Sequence, residues 1–281
     1  MEYGLSMFIT DYSMSPHDLA IQAEKRAFDS IWIPEHTHIP ASRKTSSSNH
    51  DVLPMHYWHT LDPFIALTSA AMVTKRLKLA TGICLVIQRD PIITAKQLAS
   101  LDQISDGRVI LGVGGGWNRE EIENHGTPFK LRWKILRERI LAMQEIWTKD
   151  QAEFHGTHVD FDPIWSWPKP IQKPYPPILM GGNGPTTFDR VVEFCDGWMP
   201  NLWGFQNELV LSTKITELRQ RAEAVGRDPL SIKVSVLSVP PERDTIQRLE
   251  RIGVDRVIFD LPSDTKENIL PLLEKCSTAR S

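Results

Sequence analysis

The sequence predicts an α/β fold, a (β/α)8 TIM barrel, and three observations support this fold class. The chain has 281 residues, which suits one such barrel, since the fold typically needs about 250 residues. Short apolar runs alternate with amphipathic segments about eight times along the chain. No glycine-rich nucleotide fingerprint follows the first predicted strand, as it would in a doubly wound open sheet. We therefore favour the barrel over the open sheet and expect one domain over residues 1–281.

Each predicted strand is a short apolar run that ends at polar or turn-forming residues. The run SIWIP is continuously apolar, which is typical of a strand buried on both faces. The run PPILMGG ends in glycines, which mark the turn after a strand. The strands are predicted at 4–10, 30–34, 77–86, 108–114, 176–182, 197–201, 231–239 and 254–261.

The predicted helices begin at capping signals and continue with apolar residues at helical spacing. Ser15-Pro16 and Asp62-Pro63 each combine a capping side chain with proline at the first helical position. Pro91 likewise opens a helix, and Leu136, Ile140 and Met143 recur on one face of another. The helices are predicted at about 15–28, from 62, from 91, and at 131–148, 185–195, 206–225, 242–252 and 265–277.

Two long segments interrupt the alternation. The first insertion, residues 37–61 after the second strand, carries three consecutive serines, four histidines and Trp58. The second insertion, residues 150–176 after the fourth unit, carries five prolines and several aromatic residues. Long loops in a compact domain are usually functional or disordered, and the aromatic content argues against disorder. Because the first insertion leaves the carboxyl end of a strand, we expect it to overhang the active face of the barrel.

Composition excludes several classes of function. The formal net charge of −3 gives no broad attraction to nucleic acid. Cys84, Cys195 and Cys276 are few and widely spaced, so neither a disulfide framework nor a zinc motif is predicted, and a reducing cytoplasm is the simplest location. The amino-terminal residues lack the pattern of a signal peptide, and no apolar run is long enough to cross a membrane.

The motif Glu35-His36-Thr37-His38 follows the second strand, where catalytic groups of a barrel lie. A histidine at the mouth can donate a hydrogen bond or exchange a proton near neutral pH, so we predict Glu35 and His36 as catalytic residues. The ordinary alternative is a loop histidine bonded to a backbone carbonyl. The spacing of His36 and His38, with Asp260 at the last strand, also suggests a metal, but too few further ligands follow the other strands, and we predict none.

Three glycine-containing segments lie at predicted strand ends. Gly82 falls inside a strand, which marks a bulge or the close approach of a ligand, or else makes room for a neighbour. The run Gly112–Asn118, with Trp117, allows a ligand to reach the backbone, although it could also be a tight turn. The run Gly181–Thr187 joins a strand to a helix start, where exposed N–H groups bind phosphate.

Taken together, SIWIPEHTHIP, the long segment from LKLATGICLV to EIENHG, and PPILMGGNGPTTFDRVVEFCDGWMP resemble the luciferase-like monooxygenase superfamily. More narrowly, they resemble its branch of coenzyme F-420-dependent oxidoreductases. The resemblance runs from about residue 3 to about residue 200. It implies a barrel that binds an isoalloxazine-type ring at its carboxyl mouth, and it favours a homodimer.

The resemblance also assigns roles to residues around that ring. It implies a non-proline cis peptide at Gly82–Ile83, behind the ring, and His36 near the ring's reactive edge. It implies phosphate contacts from the turn after strand five. The cofactor-binding residues predicted from the motifs and the resemblance are Gly82, Ile83, Gly114, Gly115, Trp117, Gly181, Gly182, Asn183 and Gly184.

One departure from the family's pattern narrows the range of expected substrates. Deazaflavin-dependent sugar-phosphate dehydrogenases of this superfamily carry a catalytic glutamate where this chain has Trp117, so a sugar-phosphate alcohol is not expected. We interpret Glu120 and Glu121 as first-turn helix residues that complement the helix dipole.

Three hypotheses for the function follow. The first is hydride transfer between coenzyme F-420 and an unknown small organic substrate. The second is oxygen insertion by a monooxygenase that uses reduced FMN. The third is a flavin-binding protein without turnover, since a fold alone does not establish a function.

Overall fold

A computed structural model describes residues 1–45 and 52–280 of the chain. It confirms the predicted fold class, because eight parallel strands of the described part form a closed barrel. Residues 46–51, which belong to the first insertion and include its three serines, lie outside the described residues. The strands are β1 (Glu2–Ser6), β2 (Ser30–Ile33), β3 (Lys78–Thr81), β4 (Val109–Val113), β5 (Ala152–His155), β6 (Asp160–Ile164), β7 (Ile178–Gly181), β8 (Gly197–Met199), β9 (Lys233–Val236) and β10 (Arg256–Asp260).

The barrel strands follow one another around the sheet in the order β1, β10, β9, β8, β7, β4, β3 and β2. Parallel pairing of β1 with both β2 and β10 closes the barrel. Strands β5 and β6 form an antiparallel pair of their own, inside the second insertion. This pairing was not predicted from the sequence.

Helices surround the barrel and begin where the capping signals predicted. Ser15, Asp62 and Asp90 each accept a hydrogen bond from a backbone N–H of the first turn, and a proline follows each of them. The helices are α1 (Pro16–Lys25), α2 (His56–His59), α3 (Pro63–Ala71), α4 (Pro91–Ile104), α5 (Arg119–Asn124), α6 (Arg132–Thr148), α7 (Thr187–Phe194), α8 (Glu208–Ala224), α9 (Arg243–Arg251) and α10 (Lys266–Thr278). None of these helices is both long and apolar enough to span a membrane.

The interior of the barrel is packed around the fully buried side chain of Trp32. Its indole N–H donates to Ser30 Oγ over 2.8 Å. A Cβ at Gly4 would lie 2.7 Å from the same indole nitrogen, so the missing side chain there makes room for the ring. The other buried residues of this inner cluster are Ala80, Ile110, Leu179, Met199 and Ile258. A larger apolar layer fills the space between strands and helices.

Every predicted barrel strand is shorter in the structure than in the sequence interpretation. The strand predicted at 4–10 spans Glu2–Ser6 instead, and the run at 77–86 leaves the sheet after Thr81. Beyond Thr81 the backbone keeps a single bridge, between Cys84 and Val113. The apolar character of residues 84–87 comes from burial against the helices and not from strand pairing.

Candidate functional site

A cavity of about 290 Å³ opens at the carboxyl ends of the barrel strands. Phe8, Tyr57, Gly82, Trp203 and Asp260 are among the residues that line it. A second cavity, of about 630 Å³, lies at the opposite, amino end, beside Glu2 and Arg256. Although that cavity is larger, active sites of (β/α)8 barrels form at the carboxyl face, where the loops vary. We therefore place the candidate site at the carboxyl mouth.

His36 lies at the edge of this mouth and is bound to a buried carboxylate. Its Nδ1 is 2.7 Å from Glu121 Oε2, and the two side chains are 7% and 1% exposed. The other oxygen of Glu121 accepts the backbone N–H of Thr37 over 3.2 Å. A carboxylate on Nδ1 fixes the orientation of an imidazole and leaves Nε2 for exchange of a proton.

Three aromatic rings pack around the imidazole of His36. Its centroid lies 5.2 Å from that of Tyr57, 5.7 Å from that of Trp117 and 6.3 Å from that of Phe8. A histidine in an exposed loop ordinarily contributes little to packing. The side chain is instead enclosed, because α2 of the first insertion and the Trp117 loop both close over it.

Glu35 precedes His36 in sequence, but its side chain points away from the imidazole and forms hydrogen bonds with residues after β3. One oxygen accepts the backbone N–H of Leu85, and the other accepts Nε of Arg89, each over 2.6 Å. Arg89 also contacts Asp62 at the start of α3, and these carboxylates raise its pKa against the opposing effect of burial. Glu35 thereby joins the loops that follow β2 and β3.

His38 is engaged by neutral partners at both ring nitrogens. Nδ1 lies 3.0 Å from Thr37 Oγ1, and Nε2 lies 2.9 Å from the Asn124 side-chain nitrogen. His125 packs against it, with ring centroids 5.4 Å apart. The described residues contain no group of three or more histidine, cysteine or acidic side chains that could hold a metal.

The predicted cis peptide bond at Gly82–Ile83 is present. The side chain of Ile83 lies over two other strand ends, since a Cβ at Gly114 would be 2.3 Å from its Cδ1 and a Cβ at Gly181 would be 3.0 Å from its Cγ2. Glycines at the ends of β4 and β7 therefore make room for this residue. Ile83 is partly exposed, at the base of the mouth.

The glycine run after β4 carries two tryptophan contacts. The indole of Trp133, from the start of α6, covers Gly115, where a Cβ would approach it to 2.7 Å. Trp117 faces His36 and Tyr57, and the guanidinium of Arg43 lies 5.9 Å from its centroid. Trp117 thus forms part of the wall around His36.

The turn from Gly182 to Gly184 is open to solvent. Gly182 has a φ of +111°, which favours glycine, and a Cβ there would meet only Thr187 Oγ1, at 4.0 Å. A Cβ at Gly184 would likewise meet only Thr187 Oγ1, at 3.6 Å. Asn183 donates its side-chain N–H to the carbonyl of Asn201 over 3.3 Å. The exposed turn lies next to the first turn of α7, whose backbone N–H groups favour an anion.

A polar cluster lies across the mouth from His36. Asn201 donates to Ser238 Oγ over 3.0 Å, and the hydroxyl of Ser238 donates to Asp260. Burial raises the pKa of Asp260, and the Ser238 hydrogen bond only partly offsets this rise. Burial, followed by the charge of Asp260, raises the pKa of Tyr57. Asp260 was considered in the sequence only as a metal ligand, and here it faces the cavity with a hydrogen-bonded neighbour.

The contact between His36 and Glu121 was missed in the sequence. Glu121 does lie in the first turn of α5, as predicted for Glu120 and Glu121. The two residues of the pair are 85 positions apart, so no local pattern joins them.

Comparisons with known proteins show the family and the fold of the chain. A family model described as luciferase-like monooxygenase matches residues 16–258. An uncharacterized protein of Mycobacterium tuberculosis is 37% identical over 279 residues, which cover 98% of this chain and 97% of that protein. Among solved structures, a monooxygenase from Streptomyces bottropensis has a TM-score of 0.82 at 19% identity. The match covers 100% of this chain and 98% of that one.

A second solved structure with the same fold is a coenzyme F420-dependent tetrahydromethanopterin reductase from Methanopyrus kandleri. It has a TM-score of 0.77 at 18% identity, and the match covers 99% of this chain and 97% of that one. The fold is therefore common to a monooxygenase and to a deazaflavin-dependent reductase.

Proposed function

Because the chain belongs to the luciferase-like monooxygenase family, we propose that it is an oxidoreductase that transfers a hydride between coenzyme F-420 and a small organic substrate. The bound deazaflavin supplies the carbon that accepts or donates the hydride. Hydride transfer to or from a carbon that bears oxygen or nitrogen also requires exchange of one proton. The observation that carries the proposal is the His36–Glu121 pair, an imidazole oriented by a buried carboxylate at the edge of the mouth.

We assign His36 the exchange of that proton through Nε2, and Glu121 the positioning of the imidazole. Glu35 has both oxygens bound by Leu85 and Arg89, so its proposed role is to hold the loop that carries His36. Trp117, Tyr57 and Phe8 exclude water from the imidazole. Because low polarity strengthens electrostatic interactions, this enclosure supports proton transfer in the site.

The residues of the mouth fit a flavin-type group. Ile83, together with Gly82, offers an apolar base for a flat ring. The side chain of Ile83 is held in place between Gly114 and Gly181. The open turn from Gly182 to Gly184 would bind the phosphate. We propose that Gly115 and Asn183 also contact the cofactor, through their backbone atoms. Gly115 would do so beside the apolar base, and Asn183 within the turn that binds the phosphate.

The second candidate function is oxygen insertion with reduced FMN. It is favoured by the similarity to the Streptomyces bottropensis monooxygenase. Both functions use the same ring site, so cofactor preference and oxygen consumption separate them.

Titration of the protein with FMN and with coenzyme F-420, followed by fluorescence, tests the proposal. We expect coenzyme F-420 to bind at least about tenfold more tightly, which corresponds to about 1.4 kcal/mol. Gly184→Val is the comparison variant, since its Cβ would lie at an ordinary contact distance of 3.6 Å from Thr187 Oγ1 and its side chain would occupy the proposed phosphate space. We expect it to fold and to bind both cofactors more weakly than wild type. Tighter binding of FMN, with oxygen consumption by the reduced complex, would support the monooxygenase, and tight binding without turnover would support a non-enzymatic flavin protein.

We also propose that two copies of the chain form a homodimer. Large apolar side chains are exposed on and beside adjacent helices, including Ile65 of α3, Met72 directly after α3, and Ile93 of α4. The segment after β6 runs along α4, since Lys96 donates to the carbonyl of Trp167. This segment also carries the exposed indole of Trp165, which extends the apolar surface beside α4. Clustered exposed apolar side chains are typical of interfaces.

A further inference from the structure

The polar cluster across the mouth from His36 consists of Asn201, Ser238 and Asp260, and we call it the Asp260 cluster. These residues lie at the carboxyl ends of three neighbouring strands, β8, β9 and β10. Asn201 Oδ1 accepts the backbone N–H of Trp203 over 3.3 Å, while Nδ2 of the same side chain donates to Ser238. The cluster therefore links the position of Trp203 to that of the Asp260 carboxylate.

The backbone of Ser238 is held in an uncommon conformation. Its φ of +59° lies in the left-handed region, which residues with a side chain adopt rarely. Such conformations persist only where the surrounding structure enforces them, and they gather at functional sites. Here the conformation belongs to the residue whose hydroxyl donates to Asp260 and so orients its carboxylate.

The carboxylate of Asp260 has no positively charged partner among the described residues. Its Oδ2 accepts the serine hydroxyl, and no described donor lies within hydrogen-bond distance of Oδ1. The described residues that line the cavity include no lysine or arginine. Glu35 and Glu121, at the same end of the barrel, are in contrast paired with Arg89 and His36. Burial raises the pKa of Asp260, as expected for a carboxylate that no nearby cation stabilises.

Aromatic side chains line the same cavity. The ring centroids of Phe8 and Tyr57 lie 5.0 Å apart, and the ring of His56 stacks on both, at 4.6 Å and 4.7 Å. Trp203 lines the cavity as well, and it is 60% exposed. The faces of aromatic rings attract cations, and ammonium groups are bound in this way. A metal ion fits less well, because the described residues provide no group of three metal ligands.

We propose that the Asp260 cluster binds an organic ammonium ion and that the substrate belongs to this class, an inference that rests on the proposed function. The carboxylate would balance the charge of the nitrogen, while Phe8, Tyr57 and Trp203 would contact the carbon atoms around it. The ring of Tyr57 is also 5.2 Å from that of His36, so a molecule bound against Tyr57 lies near the imidazole. A neutral alcohol could accept the same hydrogen-bonding position, but it would leave the carboxylate without a counter-ion.

Choline and 3,3-dimethyl-1-butanol test this proposal, because the two molecules share a shape and differ by one positive charge. Their affinities are measured by isothermal titration calorimetry with wild type, Asp260→Asn and Trp203→Leu. We expect wild type to bind choline at least about tenfold more tightly than the alcohol, and Asp260→Asn to lose this preference. Trp203→Leu should weaken choline binding about threefold and alcohol binding less, since it removes one aromatic face.

Glu223→Gln, at an exposed position of α8, removes one negative charge elsewhere and should keep the wild-type preference. Urea denaturation checks that each variant is folded. Equal affinity of wild type for the two molecules, absence of binding by both, or a preference that survives in Asp260→Asn would overturn the inference.

The same titrations are repeated after saturation with coenzyme F-420, which separates the inference from the proposed function. A protein that binds the cofactor but does not prefer choline overturns the inference alone. If neither FMN nor coenzyme F-420 binds, the proposed function is wrong, whereas the preference for choline is measured without cofactor and holds or fails independently.

Discussion

His36, from the loop after β2, and Glu121, from the first turn of α5, meet where both side chains are almost fully buried. Their contact has two consequences that can be separated by mutation. A general acid–base group typically contributes about 10²-fold or more to turnover. A buried carboxylate left without its partner is strongly destabilising, by about 3 kcal/mol or more.

We expect His36→Ala to lower turnover about 10²-fold and also to lower the free energy of unfolding by about 3 kcal/mol. The first effect reflects loss of the proton-exchanging imidazole. The second reflects the unpaired carboxylate of Glu121, which is 1% exposed. Steady-state kinetics with the identified substrate and urea denaturation measure the two effects.

The double variant His36→Ala/Glu121→Ala provides the control for stability. It removes both partners, so its loss of stability should be smaller than the sum of the two single losses. Glu123→Ala, at an exposed position of the same helix, should have little effect. Additive losses in the cycle, or full turnover in His36→Ala, would contradict the assigned roles.

Glu120 of α5 tethers the first insertion to that helix. One oxygen of Glu120 accepts the backbone N–H groups of Lys44 and Thr45, over 2.9 Å and 3.1 Å. The Thr45 side chain, followed by the backbone of Lys44, lowers the pKa of Glu120 from 4.5 to about 2. The tether therefore requires the ionised carboxylate.

This pKa shift gives stability a defined dependence on pH. Because the folded protein favours the charged form, the stabilisation is fully present above pH 4.5 and is lost as pH falls toward about 2. We expect Glu120→Gln to unfold at a lower urea concentration than wild type at pH 7, and the difference to close as pH falls. Glu123→Gln should show no such convergence. A Glu120→Gln difference that is constant from pH 7 to pH 3 would contradict the tether.

Most elements were predictable because their signals are local. Ser15-Pro16 and Asp62-Pro63 begin α1 and α3 as predicted, since capping depends on neighbouring residues. Strands β5 and β6 were not predicted, because their pairs include exposed residues on both faces and Pro163. Such strands lack the alternation that marks a half-buried sheet.

The candidate site was predictable only in part, for a related reason. Gly82–Ile83 and the location of His36 came from the family resemblance and from strand ends. The contact between His36 and Glu121 joins residues 85 positions apart in sequence, from different barrel units. Their burial and distances follow from how those units pack, which single-sequence patterns do not contain.

We expect the exposed apolar side of α3 and α4 to form the proposed dimer interface. Met72→Glu combined with Ile93→Glu places charges where apolar side chains would be buried, so it should convert the dimer to monomer. Sedimentation equilibrium measures the change in mass. Leu230→Glu, at an exposed apolar position elsewhere, is the control and should leave the dimer intact. A monomeric wild type, or a double variant that stays dimeric, would exclude this interface.

The pairing of β1 with β10 also determines when this chain can complete its fold. Their ends are joined by the Glu2–Arg256 ion pair, between residues 254 positions apart. A ribosome that adds about 5–20 residues per second exposes β1 for roughly ten to fifty seconds before β10 emerges. During that interval one edge of β1 has no partner strand, and open edges associate with other chains. Successful synthesis of this protein therefore depends on how well the cell shields nascent chains from one another.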